Sequence, residues 1–135
     1  MKHPRTRVAV IDVVALSCQM MEHMTRLSAW AEGRSVSSFP PAFPALTCSA
    51  QSTYVTGLSP REHAIPGNGW YNRNMCEIQF WKQSNKLVQG PRLWEKLRER
   101  YGSGFTCAKL FWWYNMYSTA DWTCLLYTSD AADEH

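Results

Sequence analysis

The chain has 135 residues, of which 45% are hydrophobic and 13% aromatic, so a disordered protein is excluded and one ordinary domain core is possible in size. The net charge is only +3, with 14 Lys and Arg set against 11 Asp and Glu, so we expect no basic face for a nucleic acid polymer. The five cysteines form no CxxC pair, which predicts reduced thiols instead of a disulfide framework or a structural zinc site.

The first residues superficially resemble a signal peptide, because the basic stretch from Lys2 to Arg7 precedes an apolar run from Val8 to Val14. Asp12 interrupts that run, no small-residue cleavage site comes after it, and the run is too short for a hydrophobic region with its exit. No segment has the about 20 apolar residues that cross a bilayer. We therefore expect a soluble, cytoplasmic protein that does not act at a membrane.

The first elements in chain order are a strand and a helix. Residues 7–14 form a β-branched run without alternation, which predicts a central strand buried on both faces of a parallel sheet. Residues 22–32 have apolar side chains at helical spacing and precede Gly33, which predicts a capped helix. Residues 35–39 predict a short second strand, and the three prolines up to Pro44 force an extended approach to Thr47.

The second half of the chain predicts two further helices and a strand. Residues 47–55 lack Gly and Pro and end at Thr56-Gly57, which predicts a helix that begins at Thr47 and is capped by Gly57. Residues 58–74 are expected to be a turn-rich loop, 92–100 an amphipathic helix and 105–111 a strand. This order predicts an α/β fold, in which ligands gather at the carboxyl ends of strands.

One stretch carries the residues on which a function can be argued. It reads Pro44-Ala-Leu-Thr47-Cys-Ser-Ala-Gln-Ser-Thr-Tyr-Val-Thr56-Gly57, then Pro60-Arg-Glu-His63-Ala-Ile65 and Asn68-Gly-Trp-Tyr71. The stretch resembles the nucleophile segment of type I phosphodiesterases/nucleotide pyrophosphatases, a family of the alkaline phosphatase superfamily. In that family a proline-led approach precedes a nucleophilic threonine, a helix ending in Thr-Gly, a Pro-x-x-His-Gly-Ile motif and a nearby asparagine.

The resemblance implies a fold, a reaction and a site. The fold is a truncated part of a three-layer α/β/α sandwich with a mostly parallel sheet. The reaction is hydrolysis of phosphodiester or pyrophosphate bonds in a small, nucleotide-like phosphoester, with two divalent metal ions, of which Zn²⁺ is expected. Thr47 is implied as nucleophile and zinc ligand, and Asn68 as the side chain that hydrogen-bonds a non-bridging phosphate oxygen.

The chemistry of the residues agrees with these roles. A threonine hydroxyl is not ionised at neutral pH, and no His or Lys lies close to Thr47 in sequence to take its proton, so a metal is expected to activate it. The N–H groups at a helix N-terminus also favour a phosphate there. The alternatives are that Thr47 is an ordinary helix cap and that Asn68 is a turn residue between Gly67 and Gly69. His63 is expected to be a structural loop histidine.

Asp12 is the candidate first metal ligand. The superfamily closes its first strand with Asp-Gly, whereas this chain has Ile11-Asp12-Val13-Val14-Ala15-Leu16. Alignment on the aspartate makes Asp12 the ligand, and alignment on the following Ala-Leu places Val14 there instead. The two residues share one sheet face because strand side chains repeat every two residues.

Several aromatic residues remain, and we expect them to fill the core or to line a substrate subsite: Trp70, Tyr71, Phe80, Trp81, Trp112, Trp113 and Tyr114. Residues 77–88 and 110–118 resemble segments of an uncharacterised bacterial branch of the family, which extends the likeness over residues 7–123. We therefore predict that residues 1–123 are the N-terminal part of a bacterial-type catalytic domain.

The site is expected to be incomplete. Each zinc takes about four ligands, and the family's later aspartates and histidines have no counterpart here, so the chain alone is expected to be an inactive fragment of an active enzyme. Residues 124–135 break the resemblance and are expected to be a non-native, adaptor-derived tail, with a genuine variable C-terminus as the alternative.

The rival functions are a phosphomonoesterase or phosphonate hydrolase, and a non-catalytic Trp-rich binding module, which the Val-Val in place of Asp-Gly favours. The oligomeric state stays open.

Overall fold

The computed structural model describes residues 6–124. The chain divides into two compact units, Met1–Pro40 and Pro41–His135. None of the helices in the described part of the chain is long and apolar enough to cross a membrane.

The first unit contains two short helices, α1 (Cys18–His23) and α2 (Thr25–Ala31). The Ser17 side chain caps α1 by accepting from the Met20 N–H at 3.2 Å. The single helix predicted over residues 22–32 is broken at Met24, whose ψ of 73° is not helical. The Ser28 hydroxyl donates to the Met21 carbonyl across this break. In a continuous helix this carbonyl would accept only from a backbone N–H of the next turn.

The predicted central strand over residues 7–14 is wrong as a description of this structure. Among residues 6–124 this segment pairs with no strand, and its apolar side chains are exposed. A β-branched run favours extended backbone, but a strand also needs the hydrogen bonds of a neighbour. The predicted short strand over residues 35–39 is likewise absent from the described residues.

The second unit holds the remaining elements. They are α3 (Thr47–Thr56), α4 (Pro60–His63), β1 (Gly69–Asn72), β2 (Glu77–Phe80), α5 (Leu93–Tyr101), β3 (Ala108–Leu110), β4 (Trp122–Cys124) and two 3₁₀ turns (Asn85–Leu87 and Gly102–Gly104). Strands β1 and β2 form an antiparallel hairpin with Gly69 opposite Phe80, and β3 and β4 pair in parallel with Ala108 opposite Trp122.

Two helix predictions are confirmed and two other predictions need correction. Helix α3 begins at Thr47, ends at Thr56 and is capped by Gly57, whose φ of 70° suits glycine, and α5 covers the amphipathic segment. The loop predicted over residues 58–74 contains α4 and β1, and the strand predicted over 105–111 is only the three residues of β3.

The α/β content is as predicted, but the sheets are smaller than the predicted sandwich. Residues 6–124 form two separate two-stranded sheets, one antiparallel and one parallel, so a mostly parallel three-layer arrangement is not present in this part of the chain. A parallel sheet is stable only when helices cover both faces, which requires more strands and helices than these residues provide.

The core of the second unit lies against the first turns of α3. It contains Cys48, Ile65, Val88, Trp113 and Tyr114, with Trp70 and Leu87 packed against it. The Trp113 N–H donates to Gln51 Oε1 at 2.8 Å, and Asn85 Nδ2 donates to the Tyr114 carbonyl at 2.9 Å. The first bond joins the Trp113–Tyr114 segment to α3, and the second joins it to the 3₁₀ turn Asn85–Leu87.

Candidate active site

The approach to α3 is folded back onto the helix. The Phe43–Pro44 peptide bond is cis, and the Leu46 N–H donates to the Pro44 carbonyl at 2.9 Å. The Ser49 hydroxyl donates to the same carbonyl at 2.8 Å. The proline-rich segment therefore delivers Thr47 to a fixed position at the start of the helix.

Thr47 is the first residue of α3 and is half-buried, whereas the cap position is occupied by Leu46. Thr47 occupies the first helical position and not the N-cap, so the alternative that it is an ordinary helix cap is wrong. The first turn of an α-helix carries N–H groups without intrahelical partners and the positive end of the helix dipole. The Thr47 hydroxyl thus stands beside groups that attract an anion.

Asn68 is held against this first turn. Its side-chain oxygen accepts from the Cys48 N–H at 3.0 Å, and its backbone carbonyl accepts from the Trp81 N–H at 2.9 Å. Gly67 is buried, and a Cβ there would lie 3.2 Å from Leu46 Cδ1, so glycine permits the close approach. Because Cys48 engages the amide oxygen, the Asn68 Nδ2 is the group left to donate to a bound anion.

Cys48 anchors the turn and is chemically inert. The side chain is fully buried in the core, and burial raises the pKa of its thiol to about 11. A thiol with such a pKa carries almost no thiolate at neutral pH, so Cys48 is not a nucleophile. It fixes the backbone whose N–H binds Asn68.

His63 is fully buried beside α3 and has both ring nitrogens engaged. The Ile65 N–H donates to Nδ1 at 3.2 Å, so Nδ1 is unprotonated and Nε2 donates to Thr53 Oγ1 at 3.0 Å. Burial lowers the pKa of His63, which keeps the ring neutral. The ring is thus part of the packing between α3 and α4, in agreement with a structural role.

Sequence comparison identifies the class of protein to which this site belongs. A family model described as type I phosphodiesterase/nucleotide pyrophosphatase matches residues 8–132. The chain belongs to this family. No curated protein and no solved structure matches it. The matched range includes residues 124–132, of which 125–132 lie outside the described residues, so the predicted domain boundary at residue 123 and the non-native tail stay predictions.

The candidate metal ligands of this type I phosphodiesterase family member belong to two units that are described separately. Asp12 and Val14 are exposed residues of the first unit, and Thr47 is a residue of the second unit. Residues 6–124 contain no group of three or more His, Cys, Asp or Glu side chains that could hold a metal ion. The donors in residues 6–124 therefore do not by themselves complete a two-metal site, for which each ion needs about four ligands.

Aromatic residues neighbour Asn68 in the backbone hydrogen-bond pattern, since the Trp81 N–H donates to the Asn68 carbonyl and Phe80 is opposite Gly69. The Trp81 ring meets Phe80 and Trp113 edge to face, with centroid distances of 5.7 and 4.8 Å. Phe80 also lies over Gly69, where a Cβ would come within 2.5 Å of its ring. Trp113 is buried, but Trp81 and Phe80 are 37% and 61% exposed. The aromatic residues thus divide between core and a surface next to the site.

Two buried cations that the sequence did not single out support the same core. Arg92 Nη2 donates to the Asn85 backbone and side-chain oxygens at 2.6 and 2.8 Å, and Lys109 Nζ donates to the Tyr114 carbonyl at 2.7 Å. Burial, and secondly the charge of Arg92, lower the pKa of Lys109 to about 8. No local pattern marks either residue, because Arg and Lys are ordinarily expected at the surface.

Proposed function

We propose that this chain carries the nucleophile of a metal-dependent hydrolase that cleaves phosphodiester or pyrophosphate bonds of nucleotide-like substrates. The family supports the class of hydrolase. The observation that carries the proposal is the 3.0 Å bond from the Cys48 N–H to Asn68 Oδ1, which joins the asparagine to the helix turn that Thr47 opens. The bond places the Asn68 side chain at the first turn of the helix that Thr47 begins.

The proposed reaction has two steps. The Thr47 oxygen bonds to phosphorus while the bond from phosphorus to the leaving oxygen breaks; the hydroxyl proton passes to water, and the leaving oxygen takes up a proton from water. Water then cleaves the resulting phosphothreonine ester and restores the hydroxyl. Throughout, the Asn68 Nδ2 donates to a non-bridging oxygen, whose negative charge grows in the transition state.

Metal dependence is part of the proposal. From this chain we propose Thr47 and Asp12 as ligands of two divalent ions, with Zn²⁺ the expected metal and the other ligands supplied from beyond the chain. The two units are described separately, so the proposal for Asp12 rests on the family resemblance and on its carboxylate chemistry.

The aromatic surface supports a substrate with a planar group. Phe80 and Trp81 are exposed next to Asn68, where the organic part of a phosphoester bound at Thr47 would lie. Aromatic rings stack on nucleobases and similar groups. The net charge of +3 supports a small phosphoester over a nucleic acid polymer.

We further propose that the chain is the N-terminal part of a longer cytoplasmic enzyme built as a three-layer α/β/α sandwich and that it is inactive alone. The exposed apolar run over residues 8–14 supports this, since such a run is the kind of segment that further strands would cover. A phosphomonoesterase or phosphonate hydrolase is the alternative within the superfamily. The exposed position of Asp12 favours the other rival, a Trp-rich binding module without catalysis.

The test is zinc-dependent turnover of bis(4-nitrophenyl) phosphate by the longer protein and by this chain. We expect turnover only in the longer protein, and its Thr47→Ala variant should lose at least about 10³-fold in kcat while retaining bound zinc. The matched control is Thr106→Ala, at an exposed threonine outside the site. Turnover by Thr47→Ala at the wild-type rate would remove Thr47 from the nucleophile's role, and turnover by the 135-residue chain would refute the incomplete site.

A further inference from the structure

The Trp113–Tyr114 segment supports both partners of the hydrogen bond between Cys48 and Asn68. On one side, the Tyr114 side chain reaches the Cys48 thiol within the buried core. On the other side, the Trp113 ring meets the Trp81 ring edge to face at a centroid distance of 4.8 Å, and the Trp81 N–H donates to the Asn68 carbonyl at 2.9 Å. Because a close-packed core transmits small displacements, the position of this segment affects both ends of the bond.

Tyr114 has a backbone conformation that needs support. Its φ of 57° lies in the left-handed region, which a bulky residue rarely adopts. Its carbonyl oxygen accepts two hydrogen bonds, from Lys109 Nζ at 2.7 Å and from Asn85 Nδ2 at 2.9 Å. All three residues are buried, so bulk water does not replace a donor that is removed. These two donors therefore hold the peptide group that follows Tyr114.

Lys109 is the donor that the stability of the core does not explain. Asn85 also accepts from Arg92 at 2.8 Å, so its amide has a second contact in the core. The Lys109 ammonium group loses its hydration on burial, and the charge of Arg92 adds a repulsion. The Trp94 ring, 5.5 Å from Lys109 Nζ, offsets part of this cost. A methionine would fill the same space without a buried charge, so the lysine points to a role other than stability.

We propose that Lys109 is a positioning residue for the hydrolysis proposed above, on which this inference rests. Its ammonium group holds the Tyr114 carbonyl, and through the Trp113–Tyr114 segment it keeps the Cys48 N–H and Asn68 Oδ1 at hydrogen-bond distance. Lys109 acts through these residues and not on the substrate. Without it the left-handed Tyr114 backbone relaxes and the Asn68 side chain loses its fixed position. The Asn68 Nδ2 then no longer meets the phosphate oxygen whose charge grows in the transition state.

The first measurement does not depend on hydrolysis. Amide hydrogen exchange of the full 135-residue chain is followed by NMR in the wild type and in Lys109→Met. We expect the Cys48 N–H to exchange at least about tenfold faster in the variant. The Ala50 N–H, which donates to the Leu46 carbonyl at 2.8 Å, should change less than about twofold. The comparison separates local release of the Asn68 bond from unfolding of α3, which would raise both rates.

The second measurement is turnover of bis(4-nitrophenyl) phosphate by the longer protein. Lys109→Met should lower kcat at least about tenfold and leave KM near the wild-type value, because the Asn68 amide is proposed to act on the transition state. In an Asn68→Asp background the same substitution should lower the residual kcat no further, since the group through which Lys109 acts is already gone. The matched control is Lys86→Met, which removes the same charge at an exposed lysine next to Asn85 and should keep the wild-type kcat.

A second apolar variant, Lys109→Leu, should behave like Lys109→Met, and urea denaturation checks that both variants fold. The proposal would be overturned by wild-type exchange of the Cys48 N–H, by equal acceleration of the Cys48 and Ala50 amides, or by a wild-type kcat in the Lys109 variants. Losses that add to that of Asn68→Asp, or unfolding of both variants, would also overturn it. Absence of turnover in the wild-type longer protein would refute the proposed function, and the role of Lys109 with it. That failure is distinguishable because it is seen in the wild type, without any Lys109 variant.

Discussion

Replacing Asn68 separates its structural contribution from its proposed chemical one. Its Oδ1 accepts from the Cys48 N–H at 3.0 Å in a partly buried position. In Asn68→Ala that N–H loses its acceptor, and the cost of a hydrogen bond lost from a partly buried donor is about 1–2 kcal/mol. In Asn68→Asp the carboxylate still accepts from Cys48, and the positive end of the α3 dipole favours the charge by about 0.3–1 kcal/mol.

We therefore expect Asn68→Ala to lower the free energy of unfolding and Asn68→Asp to leave it near the wild-type value at about pH 7. The assay is urea denaturation followed by tryptophan fluorescence. Both variants should nonetheless lose phosphoester hydrolysis in the longer protein, because neither has an amide hydrogen to donate and the carboxylate repels the phosphate. Equal stability of the alanine variant and the wild type would refute the hydrogen bond, and full activity of the aspartate variant would refute the donor role.

Three further predictions concern buried groups. Burial lowers the pKa of His63, so the unfolded chain takes up a proton on this ring at a higher pH than the folded chain does. The free energy of unfolding should therefore fall as the pH drops below about 6.5. In urea titrations between about pH 6.5 and 5, His63→Gln should make this fall smaller. The pKa of Lys109 is about 8, which is below its value in the unfolded chain. The native state therefore releases the Lys109 proton first, and the free energy of unfolding should rise from about pH 8 to 9. If Lys109→Met showed the same rise, Lys109 would not be its source. Alkylation with iodoacetamide followed by peptide mass spectrometry should modify exposed Cys18, Cys76 and Cys124 well before buried Cys48, and early modification of Cys48 would show that the core is open.

The sequence predicted the elements that depend on local signals. Helix α3 was predictable because a run without Gly or Pro ends at Gly57, and the structure has Gly57 at φ 70° as its C-cap. Helix α5 was predictable in the same way, from apolar residues at helical spacing and from Gly102 after them. In both, the residues that decide the structure are within a few positions of one another.

The sequence failed where the outcome depends on a distant partner. Residues 7–14 have strand propensity, but no neighbouring strand is present in the described part of the chain to pair with them. The bond between Cys48 and Asn68 spans 20 positions, so only the family resemblance, and no local pattern, pointed to their proximity. Leu46 in the cap position was also missed, because the prediction assumed that a polar residue would begin the helix.

The central claim is that Thr47 is the nucleophile, and trapping its covalent intermediate tests this most directly. The longer protein, loaded with zinc, would be mixed with bis(4-nitrophenyl) phosphate, quenched in acid within one turnover, and digested for mass spectrometry. We predict a phosphoryl adduct on the peptide that contains Thr47, located to its hydroxyl by fragmentation and missing from Thr47→Ala. An unmodified Thr47 during active turnover, or an adduct on a different residue, would contradict the claim.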